Sequence, residues 1–258
     1  MKALIATSVV WVAGVAAALV VQAAPNPDSD SKIAVKPVRV VLVGASIGQA
    51  WDLPGLPSRM RSVGYEFEAL QEWQYDKSDM LDEVLMRPKR KFHLTRTYLK
   101  GFLKPAPEPA DVIVLKECSA YFPGSIPIQR QREMVEQWVH EISGKNMKVI
   151  LATAVPVTKA RAAQDPGKQE SVLAFNDWVR EYAKKNGIVL LDLETAMRSD
   201  DKTRFLREEF AVEDGSHINR KAYDVLDPLM LKAVCAAKPS GDCPSASAML
   251  HRPESKGK

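Results

Sequence analysis

A serine follows the first predicted strand of the chain, in the stretch VRVVLVGASIG that runs from Val38 to Gly48. The first residues of this stretch are apolar and rich in β-branched side chains, which is typical of a fully buried strand. The small residues from Gly44 onward permit a sharp turn out of a sheet. Because α/β sheets place their ligands beyond the carboxyl ends of the strands, Ser46 is a candidate nucleophile. A structural turn or a helix N-cap would explain the same stretch.

A second chemical pattern lies near the other end of the chain, where EDGSHIN contains Asp214 and His217 just before a predicted helix. A carboxylate at this spacing can accept the Nδ1 proton of the imidazole, which leaves Nε2 free to take a proton from a hydroxyl. Taken alone, the pair is equally typical of a helix cap beside a surface histidine. Together with Ser46, it predicts a nucleophile, a general base and an orienting carboxylate at one edge of a sheet.

Strands and helices alternate between these two patterns, and they must bring the three side chains together. Each predicted strand is a continuous apolar run, which indicates a parallel sheet covered on both faces. The fold class is therefore α/β, a three-layer α/β/α sandwich with about five parallel strands. The first strand is predicted to begin at Val38 and to end at the turn that starts with Gly44, and the others are predicted at 65–70, 111–115, 148–154 and 188–193. The main helices are predicted at 76–85, 94–103, 127–142, 170–185 and 218–237, with a break or kink at Pro228 and a polar loop at 158–167.

The N-terminal residues predict export of the protein. A short positive start precedes an almost wholly apolar run, and Val21-Gln22-Ala23 matches a small-x-small cleavage pattern. We predict a signal peptide at 1–23 and a polar linker at 24–37, which would place the folded part in the periplasm or outside the cell with no stable membrane span after cleavage. An uncleaved membrane anchor is the alternative, because the run approaches the ~20 residues that span a bilayer.

Export affects how the three cysteines are interpreted. Cys235 and Cys243 flank CAAKPSGDC, and in an oxidising compartment we expect a disulfide that holds a C-terminal tail, 238–258, against the last helix. Cys118 is then left as a buried free thiol. No cysteine or histidine spacing resembles a zinc site, so the sequence predicts no metal and no cofactor.

The composition of the chain is that of one globular domain, predicted at 38–237. Hydrophobic residues make up 46% of the 258 residues and charged residues 26%. The net charge of +4 is modest, and the basic run Lys89-Arg90-Lys91 has no interleaved aromatic residues. We therefore expect a solvated surface there and no nucleic-acid partner. The oligomeric state is not predicted.

Both chemical patterns resemble known sequence blocks. VLVGASIG resembles the first block of the SGNH (GDSL-type) hydrolases, and DGSHINRKAY resembles their last block. The resemblance extends from about Val38 to Leu231 and includes LATAVPVT and FNDWVREYAKKNGIVLLDL. It implies a flavodoxin-like sandwich that hydrolyses esters or thioesters. In that reaction Ser46 would be the nucleophile, His217 the general base and Asp214 its orienting partner.

The chain departs from this family where the family builds its oxyanion hole. Ala45 replaces the aspartate of Gly-Asp-Ser. The family's three donors are the serine N–H, a glycine N–H after the second strand and an asparagine side chain after the third. Only the Ser46 N–H is retained here, since no glycine occurs in 71–78 and the asparagine position falls near Cys118.

Two residues could replace the missing donors. Lys116 would supply a charged group, and the Gln74 amide is a weaker candidate. The alternative role for Lys116 is a salt bridge with Glu117 or another nearby carboxylate. Losing one oxyanion donor lowers turnover by about 10²–10³-fold, so these residues decide how fast an esterase the protein would be.

These observations predict an exported serine hydrolase that cleaves an ester-linked acyl group through an acyl-enzyme. Its substrate would be a small-molecule or glycan acyl ester. The alternatives are a catalytically weakened protein of the same fold that binds a saccharide or acylated ligand, and an acyltransferase. Aromatic residues that follow the strands would either line the substrate pocket or cap the core, namely Trp51, Trp73, Tyr75, Tyr121 and Phe122.

Overall fold

Five parallel strands form a single sheet in the computed structural model of the protein. The strands are β1 (Val38–Gly44), β2 (Tyr65–Gln71), β3 (Val112–Lys116), β4 (Lys148–Ala152) and β5 (Val189–Leu191). Their order across the sheet is β2-β1-β3-β4-β5, and every neighbouring pair is parallel. The predicted number and direction of the strands are confirmed.

The structure describes residues 36–44, 46–62, 64–71, 77–85, 109–124, 126–240 and 243. The chain divides into two units, Met1–Ala34 and Val35–Lys258, and all described residues belong to the second. The predicted signal peptide, most of the linker, the helix at 94–103 and the tail beyond 243 lie outside the described residues. None of the described helices is long and apolar enough to cross a membrane.

Eight helices lie among the described residues. They are α1 (Ser46–Ala50), α2 (Leu56–Met60), α3 (Ser78–Val84), α4 (Ile128–Ser143), α5 (Lys159–Gln164), α6 (Lys168–Asn186), α7 (Leu193–Met197) and α8 (Arg220–Ala237). Short 3₁₀ turns occupy Ser119–Tyr121 and Glu208–Phe210.

The helices cover both faces of the sheet, because alternate strand residues point to opposite sides. On one face, Leu42 and Val114 share a core with residues of α1, α2, α7 and α8. On the other, Val43 and Leu115 share a core with residues of α3, α4 and α6. We call these the α8 side and the α4 side of the sheet. The predicted three-layer sandwich is confirmed.

The segment predicted as a polar loop at 158–167 contains a helix instead. α5 begins after Thr158, whose side chain accepts a hydrogen bond from Arg161 N. None of the α5 residues is buried, so the helix has no apolar face and no periodic pattern reveals it. Its helix-forming composition, KARAAQ, and the threonine cap account for the structure.

A second difference concerns Pro228, where a break or kink is predicted. α8 is one helix from Arg220 to Ala237 with the proline inside it. Proline removes one backbone hydrogen bond, a loss that burial of the apolar face of α8 in the core offsets.

The residue before this proline, Asp227, joins the first and last parts of the domain. Its carboxylate is almost fully buried. It accepts hydrogen bonds from Trp51 Nε1 at 2.8 Å and from Arg59 Nε and Nη2 at 2.7 and 3.0 Å. Tyr223, one turn earlier on α8, donates its hydroxyl to Ile47 O at 3.2 Å. α1 and α2 are thereby fixed to α8.

The structure does not show the predicted disulfide, and Cys235 and Cys243 are free thiols in it. The Tyr65 hydroxyl contacts both thiols, at 3.4 Å from Cys235 Sγ and 2.8 Å from Cys243 Sγ. The same hydroxyl accepts a hydrogen bond from Ser240 N at 3.1 Å. Polar contacts with Tyr65 of β2 therefore help to hold the start of the C-terminal segment.

Removing the Asp227 carboxylate tests its role in the fold. We expect Asp227→Ala to lower the free energy of unfolding by about 3–5 kcal/mol, since it leaves the Arg59 charge without its buried partner. Urea denaturation of the purified protein measures this change. Glu133→Ala is the control, because its pair with Arg130 is exposed on both sides and should contribute less than about 1 kcal/mol. Equal losses of stability from the two substitutions would contradict the stabilising role of the Asp227 carboxylate.

Candidate active site

The fold brings Ser46 and His217 together from opposite ends of the domain. The two residues are 171 positions apart in the chain, and Ser46 Oγ lies 2.6 Å from His217 Nε2. Ser46 is the first residue of α1, immediately beyond the carboxyl end of β1. His217 lies just before Asn219, which caps α8. The predicted nucleophile and base are therefore within hydrogen-bonding distance.

Asp214 occupies the far side of the imidazole, as the spacing predicts. Its Oδ2 atom bonds to His217 Nδ1, and its Oδ1 atom accepts the N–H groups of Ser216 and His217 at 2.8 and 2.9 Å. Desolvation raises the pKa of Asp214, but these hydrogen bonds outweigh it and hold the pKa below its usual value. An ionised carboxylate only accepts hydrogen bonds, so Nδ1 carries the proton and Nε2 accepts the Ser46 hydroxyl.

Acid should disrupt this arrangement. Because the pKa of Asp214 is lowered in the folded state, its stabilising contribution is present above the unfolded pKa and is lost as the pH falls through the folded pKa. A protonated Asp214 no longer fixes the imidazole tautomer. Ser46 would then lose its oriented acceptor.

A tight loop holds Asp214 and His217. Ala211 and Ile218 pair as an antiparallel bridge, and Val212 N donates to His217 O at 3.0 Å. Gly215, at the tip of the loop, has φ +65°, a conformation that glycine adopts without a steric penalty. The loop is thus closed at its base by backbone hydrogen bonds and turned at its tip by a glycine.

The loop is anchored to the segment that follows β4. Thr158 N donates to Gly215 O at 2.9 Å. A Cβ atom on Gly215 would lie 2.5 Å from Thr158 Oγ1, so the two chains are in close contact. Sequence reasoning missed this contact, because nothing in the spacing of the two residues indicates that they meet.

Buried side chains of α6 fix the segment that carries Thr158. Asn176 is fully buried, and its amide bonds to both Ala154 N and Ala154 O at 2.7 and 2.8 Å. Its Nδ2 also donates to Glu194 Oε2 at 3.0 Å. Gln169 Oε1 accepts Val157 N at 3.3 Å. Only the presence of polar residues on an otherwise apolar helical face could have indicated this role.

The predicted oxyanion residues have different surroundings. Lys116 ends β3 and is fully buried, with its Nζ atom 2.8 Å from Glu117 O. Cys118 is a buried free thiol, as predicted, and lies just before the 3₁₀ turn. Gln74 lies outside the described residues.

The aromatic residues considered for the substrate pocket lie mostly in the core. Trp51 belongs to the core of the α8 side. Tyr121 and Phe122 belong to the core of the α4 side. Trp73 and Tyr75 lie outside the described residues. For the three described residues, core packing is therefore the correct interpretation.

The imidazole and its carboxylate lie at an open surface. The His217 side chain is 43% exposed and that of Asp214 is 49% exposed.

Two surface clefts lie away from the candidate active site. One, of about 560 Å³, is lined by Trp178 and Tyr182, and the other, of about 510 Å³, lies near Asn146. Neither is lined by Ser46 or His217. In the described part of the chain, no three or more His, Cys, Asp or Glu side chains are grouped so that they could hold a metal ion.

Three bacterial proteins of known structure have folds similar to that of this chain. A GDSL-like lipase from Bacteroides thetaiotaomicron VPI-5482 has a TM-score of 0.57 at 17% identity, covering 77% of this chain and 88% of its own. A lipase/acylhydrolase from Enterococcus faecalis has a TM-score of 0.57 at 20% identity, covering 79% and 98%. A member of the lipolytic protein G-D-S-L family from Veillonella parvula DSM 2008 has a TM-score of 0.53 at 13% identity, covering 76% and 97%. No protein-family model and no curated protein matches the chain.

The sheet order, the position of Ser46 after β1 and the position of His217 before α8 define the class of protein. It is an α/β sandwich with a hydroxyl, an imidazole and a carboxylate in line at the carboxyl edge of the sheet. The chain has the fold of the SGNH (GDSL-type) hydrolases, as its sequence predicts.

Two glycines with positive φ allow the loop anchor to be tested. We expect Gly215→Ala to slow reaction of Ser46 with a fluorophosphonate at least tenfold, since a Cβ atom would push the loop away from Thr158 and move His217. Gly187→Ala is the matched control, because Gly187 has φ +62° but open space at its Cβ position. Both substitutions should lower stability by about 1–2 kcal/mol. Unchanged labelling of Gly215→Ala would show that the contact does not position His217.

Proposed function

We propose that the protein is an exported serine hydrolase that cleaves an ester-linked acyl group through an acyl-enzyme. The observation that supports this most directly is the 2.6 Å contact between Ser46 Oγ and His217 Nε2, with Asp214 on the opposite side of the ring. A serine is a weak nucleophile until a base accepts its proton, and this arrangement supplies the base and its orienting group. The fold shared with proteins described as lipases and acylhydrolases supports the same class of reaction.

The first half of the proposed reaction transfers the acyl group to the protein. Ser46 Oγ bonds to the acyl carbon while its proton passes to His217 Nε2, which produces a tetrahedral intermediate with a negative oxygen. The bond from the acyl carbon to the alcohol oxygen then breaks. The departing alcohol takes the proton from Nε2, and the acyl group remains on Ser46.

The second half releases the acid. Water bonds to the acyl carbon and gives a proton to His217 Nε2. The bond between Ser46 Oγ and the acyl carbon then breaks, Oγ regains the proton and a carboxylic acid leaves. Throughout both halves, the Asp214 carboxylate stabilises the imidazolium that forms.

We propose a carbohydrate or small-acyl ester as the substrate. The half-exposed His217 and Asp214 favour an ester carried at the surface of a polar molecule, since such an ester reaches the imidazole without entering a deep cavity. If a sugar hydroxyl replaced water in the second half, the same residues would carry out acyl transfer.

A ligand-binding protein with little activity is the second candidate. It is favoured by Cys118, which follows β3 by two residues, since the resemblance places the asparagine donor of the oxyanion hole near this position. A thiol is a weak hydrogen-bond donor. Rapid fluorophosphonate labelling of Ser46 would argue against this candidate, and specific saccharide binding without labelling would support it.

Hydrolysis of p-nitrophenyl acetate tests the proposed reaction. We expect Ser46→Ala to reduce the rate to that of buffer, and Asp214→Asn to reduce kcat by at least about 10²-fold, because the amide fixes the wrong tautomer. Ser143→Ala, at an exposed position at the end of α4, is the control and should retain full activity. Equal rates for the wild-type protein and Ser46→Ala would refute the hydrolase proposal.

Export is proposed from the N-terminal sequence. Expressed with its full N-terminus, the protein should be found in the periplasm or medium of a bacterial host as a chain that begins at Ala24. Mass spectrometry of the intact protein measures this directly. Ala23→Phe should block cleavage, because signal cleavage requires a small residue there. A chain that retains residues 1–23 in the membrane fraction would indicate an anchor instead.

A further inference from the structure

The carboxylate beside Lys116 already has other partners. Lys77 Nζ donates a hydrogen bond of 2.7 Å to each carboxylate oxygen of Glu117. Gln131 Nε2 donates a third hydrogen bond to this carboxylate at 3.0 Å. Lys77 is fully buried and the Glu117 side chain is 4% exposed. The predicted salt bridge between Lys116 and Glu117 is therefore wrong. The Glu117 carboxylate pairs with Lys77, and within the described part of the chain Lys116 Nζ bonds only to the main-chain oxygen of Glu117.

Lys116 is left as a buried cation with no carboxylate partner among the described residues. Its side chain is 1% exposed, and its Nζ atom makes one hydrogen bond, 2.8 Å long, to the main-chain oxygen of Glu117. An ammonium has three N–H donors, so the described residues satisfy one of them. Burying a charge without a counter-ion costs several kcal/mol and is uncommon away from functional sites.

The register of the sheet places Lys116 next to the end of β1, from which the turn that carries Ser46 begins. β1 and β3 are neighbours, with Val43 opposite Leu115, so Lys116 lies beside Gly44. A Cβ atom on Gly44 would lie 3.4 Å from Lys116 Cβ. The first side-chain carbon of Lys116 therefore lies against Gly44, the last residue of β1, which is two positions before the serine.

The pleat of the sheet places Lys116 on the same side as the candidate active site. Val112 and Val114 face the α8 side, and alternation puts Lys116 there too. Its partner in the register is Ala152, which also belongs to the core of the α8 side. α1 packs on this face through Ile47, directly after Ser46. The ammonium and the serine therefore share one face and one edge of the sheet.

We infer that the Lys116 ammonium stabilises the negative oxygen of the tetrahedral intermediates formed on Ser46, together with the Ser46 N–H. This inference rests on the proposed function. The charge acts through the protein interior, where electrostatic interactions extend farther than in water. It replaces the asparagine that the resemblance places near Cys118. Lys77 cannot serve in its place, since Glu117 neutralises it.

Titration of the ammonium provides a signature of this role. Burial lowers the pKa of Lys116, and Lys77 lowers it further, while Cys118 and Glu117 act in the opposite direction. A lysine whose pKa is lowered loses its proton, and its charge, at a lower pH than an ordinary lysine. We therefore expect kcat/KM of the wild-type protein to decline on the alkaline side below the usual lysine range of about 10.4.

Kinetics of Lys116 variants on p-nitrophenyl acetate test the inference. Lys116→Met keeps much of the side-chain volume and removes the charge. We expect kcat to fall between about 10- and 10³-fold, the upper value being the typical cost of losing one direct oxyanion donor, with KM changed less than threefold. Lys168→Met is the control, because Lys168 is also a buried lysine that donates to a main-chain oxygen, that of Phe122, but it is paired with Asp165 at 2.9 Å. Its kcat should be unchanged.

Lys116→Arg gives a second, independent measurement. Arginine stays protonated throughout the accessible pH range, so its profile should lose the alkaline decline while kcat exceeds that of Lys116→Met. A Lys116→Met protein with at least half of wild-type kcat, or a wild-type profile that is flat up to pH 10, would overturn the inference. If Lys116→Met does not fold, the inference is tested by comparing the pH dependence of kcat/KM of the wild-type protein with that of Lys116→Arg. Equal rates of p-nitrophenyl acetate hydrolysis by the wild-type protein and Ser46→Ala would instead refute the proposed function itself.

Discussion

The arrangement of the candidate active site depends on the buried carboxylate of Asp227. Its hydrogen bonds to Trp51 and Arg59 fix α1 and α2 against α8. Ser46 begins α1, and His217 lies just before α8. This buried acceptor thus links the two parts of the fold that carry the nucleophile and the base. Ser46 Oγ and His217 Nε2 lie 2.6 Å apart across this junction.

Buried charges occur repeatedly around this edge of the sheet, and most are paired. Glu194 is fully buried and bonds to Arg204 Nε at 2.6 Å and to Asn176 at 3.0 Å. Glu117 is paired with Lys77. Such pairing is expected, because a buried ion without a partner is costly. Lys116 is the exception among these residues, and this makes its position behind Ser46 significant.

The sequence was informative where function and structure depend on local patterns. Apolar runs predict the strands, and the carboxylate of Asp214 reaches the imidazole of His217 because both lie in one short loop. The helix α5 was not predicted, since a helix without buried residues has no apolar periodicity. The Cys235–Cys243 disulfide was inferred from spacing and compartment, whereas in the structure both thiols contact the Tyr65 hydroxyl.

Residue order alone therefore indicated the fold class and the three side chains of the candidate active site, because hydrophobic periodicity and short-range spacing depend on neighbours in the chain. The partner of each buried charge was decided only by the tertiary structure. Glu117 has Lys116 beside it in the chain but pairs with Lys77, 40 positions away. Coulomb attraction and desolvation depend on distance in space and on burial, and a linear sequence specifies neither.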